Sequence, residues 1–488
     1  MSTLRNISSF RCVKDGWKTL DLSNQNLLVI PPAIFEHVDL ERLDLQDNNI
    51  CTAVVPREAA SLASLVILDL GNNTNLGHLP RQIGLLAKLR ELRVQRCGIE
   101  KLPEELYNLQ TLEVLVAPGN KITTLSEEVD RLYNLKEIWL GENELESLPG
   151  TLCVLSNLHT LSLYKNKLSS LPPGIANLQT LKLLSIQSNR FTALPGDICK
   201  LCNLQVLHVG DNVIHELPEN ITKLTKLRVL SISASHFKVF PAQVLHLWAL
   251  EELYMGRWSG PGRRSFVPKD IAMLRNLKRL AVDVCGLESL PDGVGALTHL
   301  EYLSLSYNRL SYLPPQILTL TNLKVLKLKN NGMTSLPSAM HRLGNIEQID
   351  VSGNPLTYPP AEVLNGGVAA IMAFLTEEAR LERIRREKED REFSQLMNTL
   401  SADVDRAEWR WIGRELGLTD LELHAIQEDA QDNVQEQTYK VLMTWREQAG
   451  ECATLDRLVE HLRSIRLHHL AEALQDMREK RHLADPVL

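Results

Sequence analysis

The sequence predicts an α/β solenoid of stacked repeats, followed by an all-α bundle of six short helices. Two observations carry that prediction. Leu89, Leu112, Leu135, Leu158, Leu181, Leu204, Leu227 and Leu250 stand 23 residues apart, and after a longer step to Leu277 the spacing returns at Leu300, Leu323 and Ile346. From Phe393 the apolar period changes to roughly 3.6 residues, the period of a helix with one buried face.

Each anchor opens the same pattern, as in Leu158, Leu161, Leu163, Asn166 and Leu168, followed by Leu171-Pro172 and Ile175. This LxxLxLxxNxLxxLPxxIxxL spacing is similar to leucine-rich repeats. Its 23-residue, Leu-Pro form resembles the Ras-group intracellular type. Counting back through Leu65, Leu40 and Trp17 gives about fifteen repeats over 17–365, behind an N-terminal cap at 1–16. The physics follows from the alternation. In each LxxLxL strand the leucines point inward and the residues between them outward. A single repeat cannot bury its apolar side, whereas stacked repeats share one core.

At the turn after the strand, backbone groups leave the ladder inside that core, and a side-chain amide can both donate to and accept from them. Ten repeats carry Asn there: 48, 73, 120, 143, 166, 189, 212, 308, 331 and 354. Gln25, Cys97, Ser235, Trp258 and Cys285 replace it elsewhere, so three consecutive repeats lack it. The middle one carries an insertion between Gly256 and Val267 with paired Arg263 and Arg264. It reads as a mobile surface loop, or else as a contact, modification or cleavage site. No Gly-Lys-Ser/Thr follows its glycines, so it is not a phosphate loop.

The outward strand positions form the concave face. Their middle residues begin acidic with Asp21, Asp44 and Asp69, pass a basic group of Arg90, Arg93 and Arg96, and continue with aromatic rings. Trp139, Tyr164, His208 and Tyr254 are expected to be exposed, and large rings left in water call for a covering partner. With Arg257 they define a predicted protein-binding site, since aromatic and Arg side chains dominate binding hot spots.

The repeats are expected to close through Asn354-Pro355-Leu356 and Pro359-Pro360 into a capping helix and charged connector at 366–392. Within it, residues 376–392 hold seven acidic and six basic residues, with helical spacing at Glu382–Arg386 and Glu387–Arg391. Its RIRREK run leaves a nuclear pool open, although the interspersed acids weaken that signal.

Beyond it, Trp409, Ile412, Gly413 and Leu416 share a helical face, Gly417 is a stop signal, and Thr419 to Glu422 is a capping box. Asn433 to Glu436 offers a second cap, and a short last helix carries Leu470 and Leu474. Together with Leu442, Trp445, Leu458 and Leu462, this spacing resembles a death domain over 393–478, with a tail at 479–488. The resemblance implies homotypic contact through charged surface patches, and homo-oligomerisation through that domain. Arg410, Arg414, Asp420, Glu422, Arg446 and Arg463 are the candidate charges, each with the simpler reading of a solvated surface residue. Trp411 points away from the apolar face and is either covered by the domain or an anchor for a partner.

The totals narrow the function. A formal charge of -7 and a pI near 6.1 argue against a general nucleic-acid binder. No stretch reaches the roughly 20 apolar residues of a membrane span, and the start has no signal-peptide core. The eight cysteines are scattered, and Cys199 and Cys202 form a lone C-x-x-C, which favours a cytoplasmic setting without metal or cofactor. No triad, metal cluster or nucleotide loop predicts an enzyme. Repeats joined to a death domain resemble scaffolds of the PIDDosome type, but the self-cleaving ZU5-type domains of those scaffolds are missing here. The expected function is a signalling adaptor, apoptosis- or inflammation-related. Its repeats would hold a protein ligand not identified by the sequence, and its death domain other death-domain proteins. A Ras-pathway or phosphatase scaffold, or a negative regulator of death-domain signalling, are the alternatives.

Overall fold

A computed structural model describes residues 10–51, 61–257 and 267–484. Chain contacts divide it into two units at Leu375/Thr376.

In the first unit, β1 (Arg11–Lys14) pairs antiparallel with β2 (Trp17–Asp21). From β2 to β16 (Gln348–Asp350), fifteen strands then follow in chain order, each parallel to the last, in one sheet. The register places leucine on leucine: Leu161 pairs with Leu184, Leu184 with Leu207, and Leu207 with Leu230. All four are fully buried, and each contributes roughly 2 kcal/mol by leaving water. Between β12 (Glu252–Gly256) and β13 (Arg279–Asp283) the pairing step lengthens, Glu252 meeting Arg279, yet the ladder continues without a shift of face.

Among the described residues, the return segments from Pro32–Glu36 to Ser338–Arg342 are short 3-10 turns, because 23 residues leave little room for a longer helix. In Glu104–Asn108 the preceding Pro103, at φ -69°, sets the entry, and the Leu109 N–H closes on the Leu106 carbonyl. Leu106 and Tyr107 are the buried residues of that turn.

The asparagine ladder is built as the residue chemistry requires. The Asn166 amide donates to the Leu140 carbonyl at 2.9 Å and the Leu163 carbonyl at 3.0 Å, while its Oδ1 accepts from the Leu145 N–H at 3.0 Å. Where Asn is missing, Cys97 substitutes its thiol, which donates to the Leu70 carbonyl at 3.1 Å. The buried Ser235 hydroxyl has no partner among the described residues. Trp258, Arg263, Arg264 and most of the insertion lie outside the described residues.

The residue just before each ladder position takes a left-handed backbone. Gly119 and Gly353 do so at no steric cost. Arg96, Glu142, Lys165, Arg257 and the β-branched Val284 do so with a Cβ in place. Val284, at φ 58°, is the conformation such a residue tolerates least.

In the second unit the helices are the C-terminal part of α2 (Gly367–Ala402), α3 (Trp409–Glu415), α4 (Asp420–Ala430), α5 (Val434–Ala449), α6 (Leu455–Ser464) and α7 (His468–Ala484); the five-residue α1 (Ala361–Asn365) belongs to the first unit. Their core gathers Phe393, Met397, Trp409, Ile412, Val441, Trp445, Leu458, Leu462 and Leu470. The expected separation of a connector at 366–392 from a first bundle helix is absent, because α2 runs unbroken through both. No proline interrupts it, and pairs such as Arg380–Glu377 at 3.1 Å and Arg383–Glu387 at 3.6 Å sustain its charged turns. The last helix also runs past 478, to Ala484.

The helix ends follow the sequence signals. Thr419 and Glu422 close a reciprocal capping box, and Asn433 accepts from the Glu436 N–H. Gly417, at φ 90°, stops α3, while the Leu418 N–H returns to the Gly413 carbonyl at 3.0 Å. Gly413 itself lets α3 approach its neighbours: a Cβ there would lie 2.4 Å from Leu423 Cδ2.

Candidate protein-binding surfaces

On the concave face the expected rings are half-buried rather than open, which corrects the sequence expectation. Strands stacked about 4.8 Å apart leave little open space between rings and their neighbours. Trp139, ending β7 (Glu137–Trp139), donates its indole N–H to Glu137 at 2.9 Å. Tyr164 lies over Gly141, where a Cβ would sit 2.0 Å from its Cε1, so that glycine is what admits the ring. Tyr254 donates its hydroxyl to Glu252 at 2.6 Å, and burial together with Glu252 pushes its phenol up to about 12. His208 is held below the usual imidazole range by burial, so it stays neutral at neutral pH.

The arginines fall in different places. Arg93 sits on β5 (Glu91–Arg93) and pairs with Glu91. Arg90 precedes that strand, 3.7 Å from Glu113. Arg96 and Arg257 occupy left-handed turn positions instead of the strand face. All four are exposed.

The acidic beginning of the face is also not what the pattern promised. Asp44 is 1% exposed and Asp69 3%. Burial raises both carboxyls, with the charge of Asp21 adding to the rise at Asp44 and that of Asp44 to the rise at Asp69. Their oxygens are committed to the Gln46 and Gly71 N–H groups, at 3.2 and 2.9 Å.

A cluster farther along escaped the sequence reading. Arg279 and Lys327 lie over the Tyr302 ring, at 4.7 and 5.5 Å from its centroid, and Asp283 accepts from Ser304 and the Ser306 N–H, both at 2.7 Å. Arg279 and Tyr302 occupy the outward position before the middle one of their strands, and only the register between repeats brings them together with Lys327.

In the helical unit, Trp409 is 3% exposed and Trp411 55%, on the same helix. Trp411, Arg414, Glu415, Ser464 and Arg466 line an open depression of about 500 Å³. Arg414 reaches Asp420 at 2.9 Å, and Arg410 bonds the Gln427 amide. Hydrogen bonds from the Ser464 hydroxyl and His461 hold the Glu415 carboxyl below its usual range. Glu422 is spent on its cap, Arg446 stacks 3.9 Å over Phe393 and pairs with Asp390, and Arg463 donates to Gln475 at 3.0 Å. Leu421, 82% exposed beside Asp420, was missed because an isolated surface leucine carries no signal in sequence.

Leucine-rich-repeat models match residues 17–76, 157–178, 173–291 and 299–320, and the death-domain model matches 391–478. The chain is a leucine-rich-repeat protein with a C-terminal death domain. Over 101 residues it is 35% identical to plant intracellular Ras-group-related LRR protein 8 of Oryza sativa, covering 20% of this chain and 26% of that protein. Over 95 residues it is 30% identical to the FAS-associated death domain protein of Bos taurus, covering 20% of this chain and 45% of that one. The matches thus span less than half of these relatives. A leucine-rich-repeat protein of Leptospira interrogans is similar in structure, with a TM-score of 0.62 and 30% identity over 75% of this chain and 97% of that one. Both matched families are protein-interaction modules. Among the described residues no helix is long and apolar enough to cross a membrane, and no group of three potential metal ligands converges.

Proposed function

We propose that this protein is a non-enzymatic, cytosolic adaptor whose concave face holds one protein while its death domain recruits another by homotypic contact. The observation that carries the reading is Trp411, more than half exposed between Arg414 and Arg466 on a death-domain surface. An aromatic ring with flanking guanidinium groups has the composition of a binding hot spot. On the concave face, Trp139, His208 and Tyr254 supply the aromatic floor for the repeat ligand, with Arg257 at its margin. The cytosolic setting draws support from the rice relative, which is named as intracellular.

The test uses the full chain against a panel of purified death domains. Capture by the wild type, lost on Trp411→Ala with Arg414→Glu but kept on Trp139→Ala with Tyr254→Ala, is the expected outcome. The second pair should weaken a repeat ligand by about 2 kcal/mol or more per ring. No capture by the wild type overturns the reading. A scaffold for Ras-pathway proteins is favoured instead by the Ras-group likeness of the repeats, if small GTPases bind and death domains do not.

A further inference from the structure

A second surface on the repeats lies at the edge of the sheet where the strands begin, distinct from the concave face. Gln205, Arg228, Glu251 and Lys278 stand in register there, each immediately before β10 (Val206–His208), β11 (Val229–Ser231), β12 and β13 respectively. With Lys226, Trp248, Asn276 and His299 they line a groove of about 540 Å³. Trp248 is 62% exposed in it, and its carbonyl is fixed by the Asn276 amide at 2.8 Å. A large ring left in water is surface that a partner can cover.

The charges of this edge are uneven. Along this row carboxylates and cations alternate, as in Glu113 between Arg90 and Lys136, and Lys278 between Glu251 and Glu301. The groove's lining adds Lys226 from outside the row. The lining thus sets three cations, Lys226, Arg228 and Lys278, against one lining carboxylate, Glu251, shared between Arg228 at 2.7 Å and Lys278 at 3.0 Å, with Glu301 flanking Lys278 at the groove's end. Among the described residues Lys226 pairs with no carboxylate and reaches the neutral Asn203 side chain at 2.6 Å. Two steps before Arg228 the row offers Lys182, with the uncharged Gln205 between them and no carboxylate paired with it among the described residues. A chain of net charge -7 therefore carries a locally cationic, aromatic-centred groove.

We propose that this groove docks an extended acidic peptide segment of a partner protein, with an aliphatic side chain on the Trp248 indole and carboxylates toward Lys226 and Lys278. The spacing fits. Strands about 4.8 Å apart put Arg228 and Lys278 roughly 10 Å from each other. That lies between the spacings of about 7 and 13 Å that separate residues two and four apart on one face of an extended chain, so acid, leucine and acid at alternate positions share the face turned to the groove. The positive potential steers the segment in and loses strength with salt.

Fluorescence anisotropy tests this with the full chain and three fluorescein-labelled hexapeptides: Glu-Asp-Leu-Glu-Asp-Leu, the same with Gly for Leu, and the same with Lys for the acids. Only the first should bind tightly, and raising salt should weaken it. Trp248→Ala and Lys226→Glu should each raise its Kd by about tenfold or more, whereas Tyr254→Ala on the concave face should leave it unchanged. Both substituted residues are exposed, and circular dichroism checks that the repeats stay folded. Failure of the acidic peptide to bind, equal binding of the lysine peptide, or indifference to both substitutions overturns the proposal. Loss on Tyr254→Ala alone also overturns it, by moving the site to the concave face. None of these outcomes bears on capture by the death domain, so the two readings fail separately.

Discussion

Asn166 donates its side-chain amide to the carbonyl of Leu140, one repeat back, across 2.9 Å of buried interior. With the Leu163 carbonyl and the Leu145 N–H, one side chain satisfies three backbone groups. Replacing it by Ala leaves them in an apolar core, and each buried unsatisfied group costs about 1–3 kcal/mol. Asn166→Ala is expected to lower stability by about 2–4 kcal/mol in urea unfolding. Ser235→Ala makes the contrast, because it removes a buried hydroxyl without a described partner. It should be neutral or stabilising, and a loss like that of Asn166 would contradict the ladder account.

Val284 offers a gain. Its side chain is 43% exposed, so little burial is lost with it, and its strained φ of 58° is relieved by Asn. The Val284 N–H to the Ser306 carbonyl, at 3.0 Å, survives the change. Val284→Asn should raise the unfolding free energy by about 1 kcal/mol, and thermal denaturation would show it as a higher midpoint.

The buried Asp69 gives a pH dependence of definite sign. Burial raises its carboxyl above the unfolded value of 3.8, so the folded state favours the protonated form. That contribution to stability is present below pH 3.8 and is lost as pH rises through the folded pKa. Asp69→Asn keeps an oxygen to accept from the Gly71 N–H and removes the buried charge. Its midpoint should exceed the wild type's at pH 7, with the advantage shrinking as the pH falls through the folded pKa toward 3.8 and gone below it. An advantage independent of pH would exclude the charge as its source.

In the helical unit, Gly413→Ala introduces a Cβ 2.4 Å from Leu423 Cδ2 and 3.4 Å from Val441 Cγ1. Overpacking costs about 1–3 kcal/mol, against a helix-propensity gain of up to about 1 kcal/mol. A net loss near 1 kcal/mol is expected. Hydrogen exchange should accelerate in α4 and α5 while the repeat strands keep their protection, and an unchanged rate in those helices would show that Leu423 simply moves aside.

The repeats were legible because a single buried column returns every 23 residues, and nothing in the array competes with that signal. The death-domain resemblance was legible because Trp409, Ile412 and Leu416 recur with a helical period and Thr419 announces the next helix. Depth was not legible. Asp44 and Asp69 occupy outward positions, yet neighbouring strands cover them, and a sequence column does not record what its neighbours do. The extent of α2 escaped for a related reason: its charged stretch resembles a solvated link, and only the lack of a breaker distinguishes a link from a longer helix. Trp411 was legible as an oddity from its angle to Trp409, whereas Trp248 and the Arg279–Tyr302–Lys327 cluster needed the register between repeats.

The Glu252–Arg279 pairing has a practical corollary for building with this scaffold. Four extra residues enter the chain between two adjacent strands, and the hydrogen-bond ladder passes them as if they were not there. Sheet register is set by which leucines meet in the core, so the return path can lengthen without being felt on the other side. Doubling such a loop adds only about 0.6 kcal/mol of closure entropy. The junction after Arg257 is thus a natural splice point, where a reporter or recognition peptide can be grafted while the strands on either side keep their partners.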